Sequence, residues 1–326
     1  MGKKSKKKST KGNKAKGLLT LLLIIAALLF YVIEISEVEV DVPSAVEELV
    51  EEQIATNKEK LQEKIASAKK KSTPQAVADK KSPTGKKAQI KGQLEIPTLE
   101  KQAPNQILSY KGFTLSYNNS TRLPNWVAYE LTAEEVAGDL PRKDKFRPDP
   151  AAAGPQANKE DYRNSGWDRG HMAPAADMKW SAEAIEESCY FTNICPQNPQ
   201  LNGGDWKDLE EQCRKWAEKH GNIWIACGPI ILGNEHGKLG ANQVVIPDKF
   251  YKVVLAHING EYQGMGFIFH NSPLRKSKIS GKPPVNRPLE SYLVSIDEVE
   301  AATGIDFFPL LPADTQNRVE SSRVMF

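Results

Sequence analysis

Residues 164–174 read NSGWDRGHMAP and place an aspartate, an arginine, a glycine and a histidine in immediate succession. Side chains of a β-strand alternate between two faces, so a strand here would point Arg169 and His171 to the same side. Hydrolysis of a phosphodiester needs a base that takes a proton from water and a cation that stabilises the phosphoryl oxygens. His171 and Arg169 can fill these two roles. Taken singly, a histidine is more often structural, and an Asp-Arg pair is more often a salt bridge.

A second polar segment, residues 192–210, reads TNICPQNPQLNGGDWKDLE and carries Asn202 and Glu210. On one continuous helix, a spacing of eight residues gives an offset of about 80°, two turns apart, so both side chains can face one site. An amide oxygen and a carboxylate suit a hard cation such as Mg²⁺, which keeps several waters and needs few protein ligands. On spacing alone, a loop or capping asparagine and a solvated glutamate are the more frequent explanation of the pair.

The pattern around these segments mixes strands and helices without regular alternation, which predicts an α+β fold with a mixed antiparallel sheet. Helices are expected at 181–189 and at 206–220, the second ending at Gly221. Strands are expected at residues 107–110, 113–117, 126–131, 223–227, 244–246, 250–258 and 262–269, the last two joined by the Asn259-Gly260 turn.

An uncharged, almost wholly apolar run occupies residues 17–33. Its length is at the short end of what crosses a hydrocarbon core of about 30 Å, and it predicts a single transmembrane anchor. A cleaved signal peptide is the alternative, but such peptides have a shorter apolar region that ends in small residues. The lysines of residues 1–16 should remain cytoplasmic, which places the chain after Glu34 on the other side of the membrane. We therefore expect a single-pass protein of a bacterial cell membrane with an extracytoplasmic domain.

The segment after this anchor is predicted to be non-globular. Residues 44–71 favour a helix that either self-associates as a stalk or stays single and solvated, and residues 72–101 resemble a flexible tether. The expected divisions are a basic tail at 1–16, the anchor at 17–33, a helical stalk and linker at 34–104, and a globular domain at 105–326.

Charge and cysteine content limit the chemistry further. The chain carries a net charge of +3, but eight lysines lie in the first sixteen residues, so the remainder has a net charge of −5. Binding of nucleic acid would therefore need positive charge gathered locally. Cys189, Cys195, Cys213 and Cys227 lack zinc-site spacing, and we interpret them as buried thiols or as one disulfide and two thiols.

The two polar segments together resemble the DNA/RNA non-specific endonuclease family, the endonuclease G-like ββα-metal or His-Me finger nucleases. Residues 164–181 resemble the motif around the family's general base, and residues 192–210 resemble its metal-binding segment. Supporting matches are LPNWVAYELT (123–132), CGPI (227–230), VVIPDKFYKVVL (244–255) and SIDEVEAATGIDFFPLL (295–311). Because these pieces occur in the family's order over about residues 106–313, the structural explanations of the single residues lose most of their weight.

The resemblance implies hydrolysis of DNA and RNA with little sequence preference. His171 would be the general base, Asn202 the direct ligand of Mg²⁺ and Glu210 the acidic residue that orders metal-bound waters. Mn²⁺ or another divalent ion is an alternative metal. Attack by water would leave a 5′-phosphate, with Arg169 at the phosphate or bracing the site.

Some features stay open at this point. The family's transition-state arginine corresponds to Arg142 or to Arg147, of which we prefer Arg142. Cys195 stands where the family often has a small residue, and Asp205 adds a carboxylate beside the metal loop. A membrane-tethered binding protein that has lost activity is the alternative function, and either the stalk or the domain could support a homo-oligomer.

Overall fold

The structure is a computed structural model that describes residues 93–99, 106–142, 145–233, 236–272 and 287–326. All of these residues lie in one compact unit, Gly85–Phe326. The predicted basic tail, the anchor at 17–33 and the stalk fall outside the described residues. Within the described ranges, no helix has the length and apolar character needed to cross a membrane.

The described chain contains short and long strands. They are β1 (Thr98–Leu99), β2 (Gln106–Ser109), β3 (Thr114–Asn118), β4 (Leu123–Thr132), β5 (Asp168–His171), β6 (Ile194–Gln197), β7 (Asn222–Ile230), β8 (Lys238–Leu239), β9 (Val244–Val245), β10 (Lys249–Ile258), β11 (Glu261–His270), β12 (Leu293–Val294) and β13 (Ile305–Asp306).

Seven of these strands form the central sheet in the order β12-β11-β10-β7-β4-β3-β2, and every neighbouring pair is antiparallel. Strand β10 shows why the sheet is stable, since it is buried on both faces. Phe250 and Val254 belong to one hydrophobic core, whereas Tyr251 and Leu255 belong to the core on the opposite face. Burial of apolar side chains on both faces is the main stabilising contribution to such a sheet.

Helices cover both faces of the sheet. They are α1 (Ala133–Val136), α2 (Lys159–Tyr162), α3 (Ala182–Ser188), α4 (Pro199–Gly203), α5 (Asp205–His220), α6 (Ile296–Thr303) and α7 (Ala313–Glu320), with 3₁₀ turns at Phe191–Asn193 and Leu289–Tyr292. Helix α5 packs on the first core through Trp206 and Leu209, and α6 and α7 pack on the second through Ile296 and Val319.

The predicted α+β class is confirmed, and each long strand and both helices expected from the sequence are present within a few residues. Gly221 ends α5 with φ of 90°, and its N–H donates to the carbonyl of Ala217, as expected for a glycine C-cap. The shorter elements β6 and β13 were not predicted, because two to four residues carry too little periodicity to be recognised.

The folded domain also includes residues placed in the linker by the sequence. Strand β1 pairs with β13, and Leu94 is buried in the second core, both before the expected start at Asn105. The apolar residues Leu94, Ile96 and Leu99 alternate with other residues inside a lysine-rich stretch. Strand β13, which pairs with β1, lies about two hundred residues later in the sequence, so the local composition did not indicate a strand here.

Candidate active site

A two-stranded hairpin, separate from the central sheet, positions the Asp168–His171 segment. Strands β5 and β6 pair in antiparallel register, with Gly170 opposite Cys195 and His171 opposite Ile194. Gly170 is required by a close approach, since a Cβ there would lie 2.2 Å from Oε1 of the buried Gln197. The hairpin is followed by helices α4 and α5, which gives the predicted ββα arrangement.

Buried Asn193 holds the chain that follows His171. Its Oδ1 accepts the N–H of Ala173 at 2.9 Å, and its Nδ2 donates to the carbonyls of Ala173 and Ser188 at 2.9 and 2.8 Å. Three hydrogen bonds to the main chain from one buried amide fix the direction of this segment. Asn193 therefore positions His171 and is not itself on a cavity wall.

A cavity of about 280 Å³ brings the predicted site residues together. We call it the His171 cavity. It is lined by Arg142, Arg169, His171, Pro174, Ala175, Ala176, Asn202, Gly203, Lys207, Glu210 and Arg214. Arg169 and His171, on strand β5, both line this cavity, and so do Asn202 and Glu210. Their juxtaposition is the central geometric result.

Asn202 and Glu210 lie on two helices and not on the one continuous helix that was predicted. They do not lie on one helix, because Gly204, with φ of −118° and ψ of −114°, separates α4 from α5. Asn202 is near the end of α4, and Glu210 lies in the second turn of α5. The offset of about 80° therefore does not apply, and it is the break at Gly204 that sets the relative directions of the two side chains.

Asp168 holds the side chain of Asn202. Nδ2 of Asn202 donates to Oδ2 of Asp168 at 2.9 Å. Because the amide nitrogen is engaged by a carboxylate, the amide oxygen is left to bind a cation. The sequence did not indicate this contact of Asp168 with Asn202, although Asp168 belongs to the DRGH segment.

Glu210 is surrounded by a buried set of charges. Arg214 and Asp177 form an ion pair of 2.7 Å in which Asp177 is fully buried, and Tyr129 donates to the other oxygen of Asp177 at 2.9 Å. Burial raises the pKa of Glu210 to about 8, an effect that Asp177 increases and that the positive charges of Lys252 and Arg214 oppose.

Lys252 supplies the second positive charge of this set from the middle of β10. It is 0% exposed, and its Nζ lies 4.6 Å from the centroid of the Trp206 ring. Burial by itself lowers the pKa of this ammonium, but the surrounding thiols and carboxylates outweigh burial and raise it. The sequence signal for this buried charge is a lysine in the middle of an apolar strand pattern, and the role of Lys252 was not predicted from it.

The structure separates the two candidate arginines. Arg142 lines the His171 cavity, whereas Arg147 pairs with Glu186 at 2.6 Å and donates to the hydroxyl of Tyr190 at 3.2 Å. The side chain of Arg147 is thus engaged on the surface by groups of helix α3 and its C-terminal end. Arg142 is the arginine placed to contact a substrate.

Phe146, which was not predicted as a site residue, contacts both Arg169, the predicted cation, and His171, the predicted base. The guanidinium carbon of Arg169 lies 4.5 Å from the centroid of its ring, and the ring of His171 lies 5.2 Å away. A cation over an aromatic face is attracted by the ring quadrupole, so Phe146 holds Arg169 beside the imidazole.

A larger, open cavity of about 610 Å³ adjoins the first and shares Arg142, Arg169 and Asn202 with it. Its other lining residues are Phe146, Lys159, Tyr162, Arg163, Asn164, Trp167 and Asp168. Four of the lining side chains are cationic and three are aromatic. The local concentration of positive charge expected for an acidic domain that binds a polyanion is present here.

The donor set of the His171 cavity fits a hydrated divalent cation. An amide oxygen held in place by Asp168 and a nearby carboxylate are oxygen donors, and the cavity leaves room for water. Mg²⁺ binds through few protein oxygens and keeps its remaining waters. All four cysteines are buried free thiols, so they contribute neither a disulfide nor a soft metal site.

Comparison with known proteins identifies the family. The family model described as DNA/RNA non-specific endonuclease matches residues 90–314. The chain belongs to the DNA/RNA non-specific endonuclease family. Within this family, the chain is 36% identical to mitochondrial nuclease EXOG of Danio rerio over 218 residues. The alignment covers 62% of this chain and 60% of that protein.

Two further members are similar over a comparable range. Human mitochondrial endonuclease G is 33% identical over 216 residues, covering 63% of this chain and 70% of that protein. A nuclease of Nostoc sp. is 33% identical over 227 residues, covering 69% of this chain and 81% of that protein. The match thus spans about 60% of the length of the EXOG protein and more of the other two.

A solved structure shares the fold. The endonuclease G chain in a crystal structure of the EndoG/EndoGI complex matches with a TM-score of 0.57 and 26% sequence identity, over 65% of this chain and 89% of that chain. The resemblance of the two polar segments to this family is therefore confirmed by comparison of both sequence and structure.

Proposed function

We propose that this protein is a divalent-cation-dependent endonuclease that hydrolyses phosphodiester bonds of DNA and RNA with little sequence preference and leaves 5′-phosphate ends. The observation that carries the proposal is the meeting of His171, Asn202 and Glu210 in one cavity with Arg142 and Arg169. Membership of the non-specific endonuclease family supports the same conclusion.

His171 acts as the general base. It is 8% exposed, and the hairpin and Asn193 fix its main chain, so its ring has little freedom to turn away from the cavity. A histidine suits this role because its ordinary pKa lies near neutral pH. Its ring takes the proton of the attacking water.

The arginines hold the scissile phosphate. Arg142 and Arg169 line both cavities and present fixed cationic donors to the phosphoryl oxygens, where negative charge increases in the transition state. Contacts of this kind go to the nucleic-acid backbone and carry no direct information about base sequence. Low sequence preference follows from that chemistry.

Asn202 is the proposed direct ligand of Mg²⁺, and Glu210 orders the waters of the ion. When bound, the ion neutralises charge on the phosphate and on the leaving oxygen, and Mn²⁺ or another divalent ion can substitute for it. Asp168 keeps the amide of Asn202 in the binding orientation.

We also propose that residues 17–33 anchor the enzyme in the cell membrane with its N-terminus in the cytoplasm and its nuclease domain outside. The hydrophobic run and the lysines before it support this orientation. Protease added to intact cells, after permeabilisation of any outer layer, should digest the domain. Complete protection would overturn the proposed orientation.

A plasmid-nicking assay and an RNA-degradation assay test the proposed activity. The wild-type chain should cleave both substrates with Mg²⁺ and neither with EDTA. His171→Ala should lose about 10²–10⁴-fold in turnover while still binding DNA, because general-base catalysis contributes about that factor. His257→Ala, an exposed histidine near the end of β10, is the matched control and should keep full activity.

The same assay separates the alternative function. If the wild-type chain binds nucleic acid but leaves DNA and RNA intact with Mg²⁺ or Mn²⁺, the protein is a tethered binding protein with the nuclease fold. Asn202→Ala should abolish most cleavage through loss of the metal ligand. Failure of excess Mg²⁺ to restore any cleavage would show that Asn202 does more than raise metal affinity.

A further inference from the structure

A second cluster of oxygen ligands lies on the face of the sheet opposite the His171 cavity. It joins Asp297 and Glu300 of α6 to Glu320 of α7, and one carboxylate oxygen of each lies within 4.8 Å of the other two. These helices pack on the second hydrophobic core through Ile296 and Val319, whereas α5 packs on the first core. The cluster is therefore separate from the proposed catalytic centre.

The carboxylates of this cluster lack a protein counter-charge. Among the residues that the structure describes, none of the three forms an ion pair. Glu300 accepts the N–H of Phe307 at 2.9 Å through Oε1. A neutral donor of this kind does not balance three carboxyl groups whose oxygens lie within 4.8 Å of one another.

Glu320 gives an independent indication of a ligand. It is 6% exposed, and its Oε1 has no hydrogen-bond partner among the described residues, although it is buried in a group of acidic side chains. A buried oxygen without a donor costs about 1–3 kcal/mol, and more when it is charged. A positive ion in the cluster would satisfy this oxygen.

The chemistry favours one class of ion. Asp297 is exposed, Glu300 is half-buried and Glu320 is buried, so the cluster is open to solvent on the side of Asp297. Hard carboxylate oxygens select Ca²⁺ or Mg²⁺ over softer metals. Ca²⁺ accepts irregular sets of six to eight oxygens, including bidentate carboxylates, whereas Mg²⁺ demands near-octahedral geometry.

We propose that Asp297, Glu300 and Glu320 form a second divalent-cation site, selective for Ca²⁺, that ties helix α6 to helix α7. The ion takes one or two oxygens from each carboxylate and completes its shell with water. Its role is to stabilise the C-terminal helices, independently of the chemistry in the His171 cavity.

Equilibrium dialysis of the full-length protein in detergent with ⁴⁵Ca²⁺ alone tests the proposal. Glu320→Gln and Asp297→Asn should each bind one Ca²⁺ fewer per chain than the wild type. Asp314→Asn is the matched control, because Asp314 is an exposed acidic residue at the start of α7 outside the cluster, and it should bind as many ions as the wild type. Asn202→Ala should keep the cluster-dependent ion.

Thermal unfolding provides a second readout that does not depend on cleavage. Ca²⁺ should raise the Tm of the wild type and of Asp314→Asn, and should raise that of Asp297→Asn much less. Asp297 is exposed, so this variant should fold even if Glu320→Gln does not. Equal Ca²⁺ binding by the wild type, Asp297→Asn and Glu320→Gln would overturn the proposal, because the cluster would then contribute no bound ion.

Discussion

Nδ2 of Asn202 lies 2.9 Å from Oδ2 of Asp168, across 34 residues of sequence. This hydrogen bond selects which end of the Asn202 amide is left for a cation. Asp168 begins strand β5 and Asn202 lies near the end of α4, so the contact also joins the two motifs of the site. The same strand that carries His171 therefore orients the proposed metal ligand.

Asp168→Asn should weaken metal binding without unfolding the domain. An asparagine at 168 can donate or accept, so it no longer selects the amide orientation of Asn202. Loss of such an orienting group costs about 10–100-fold in metal affinity or activity. A Mg²⁺ titration of the nicking rate should shift to higher concentration, while Asp205→Asn, whose carboxylate accepts from Tyr292, should not shift. An unchanged Mg²⁺ titration in Asp168→Asn would contradict this role.

Arg142→Ala and Arg147→Ala form a matched pair. Arg142 lines both cavities, so its loss should lower kcat/KM by about 10²–10³-fold, the usual cost of one donor to a developing charge. Arg147 forms a partly exposed ion pair with Glu186, so its loss should leave kcat/KM within a few fold and cost about 0–1 kcal/mol of stability. The reverse order of the two effects would show that Arg147 is the arginine that serves the transition state.

Lys252→Met should destabilise the domain strongly. It leaves the fully buried Asp177 with one remaining cation, Arg214, and removal of one partner from a buried set of charges costs about 3–5 kcal/mol. Urea unfolding should show this loss, whereas Lys249→Met, on the same strand but only half-buried, should change stability little.

A double substitution tests whether the effect is electrostatic. Lys252→Met combined with Glu210→Gln removes the lysine together with a carboxyl group that its charge stabilises, so at a pH above 8 it should be more stable than Lys252→Met alone. Additive losses in the two single variants and the double variant would exclude coupling between the two side chains.

The cysteines should be unreactive in the folded protein. All four thiols are buried, and burial raises the pKa of Cys227 to about 11 and that of Cys213 to about 12. Only the thiolate reacts, and the raised pKa values keep the thiols of Cys195, Cys213 and Cys227 protonated at pH 8. A thiol reagent at pH 8 should therefore modify none of them in the native state and all four in denaturant. Rapid native modification would mean that the core opens easily.

The sequence identified much of the site because its motifs are local. Residues 164–174 and 192–210 carry His171, Asn202 and Glu210, and alternation along β5 correctly placed Arg169 beside His171. The long strands and α5 were also predictable, since each spans enough residues for its periodicity to be seen. Short strands such as β13 carry no such pattern.

Several relationships could not be obtained from the sequence. The choice between Arg142 and Arg147 depends on where the chain turns after α1. The role of Lys252 depends on packing of β10 under Trp206, and the acidic cluster depends on the meeting of α6 and α7. Each is a contact between elements, and spacing along the chain does not encode such distances.

The amino-acid sequence by itself determined the class of fold and the family resemblance, and it supplied the proposed base, the proposed cation beside it and the two proposed groups for the metal. The reason is that short-range order follows from side-chain alternation, helix period and motif order. Only the tertiary structure decided which arginine reaches the cavity, how Asp168 orients Asn202 and which buried charges surround Glu210. These depend on burial and on contacts between segments distant in sequence, because the free energy of a charged group is set by its spatial neighbours.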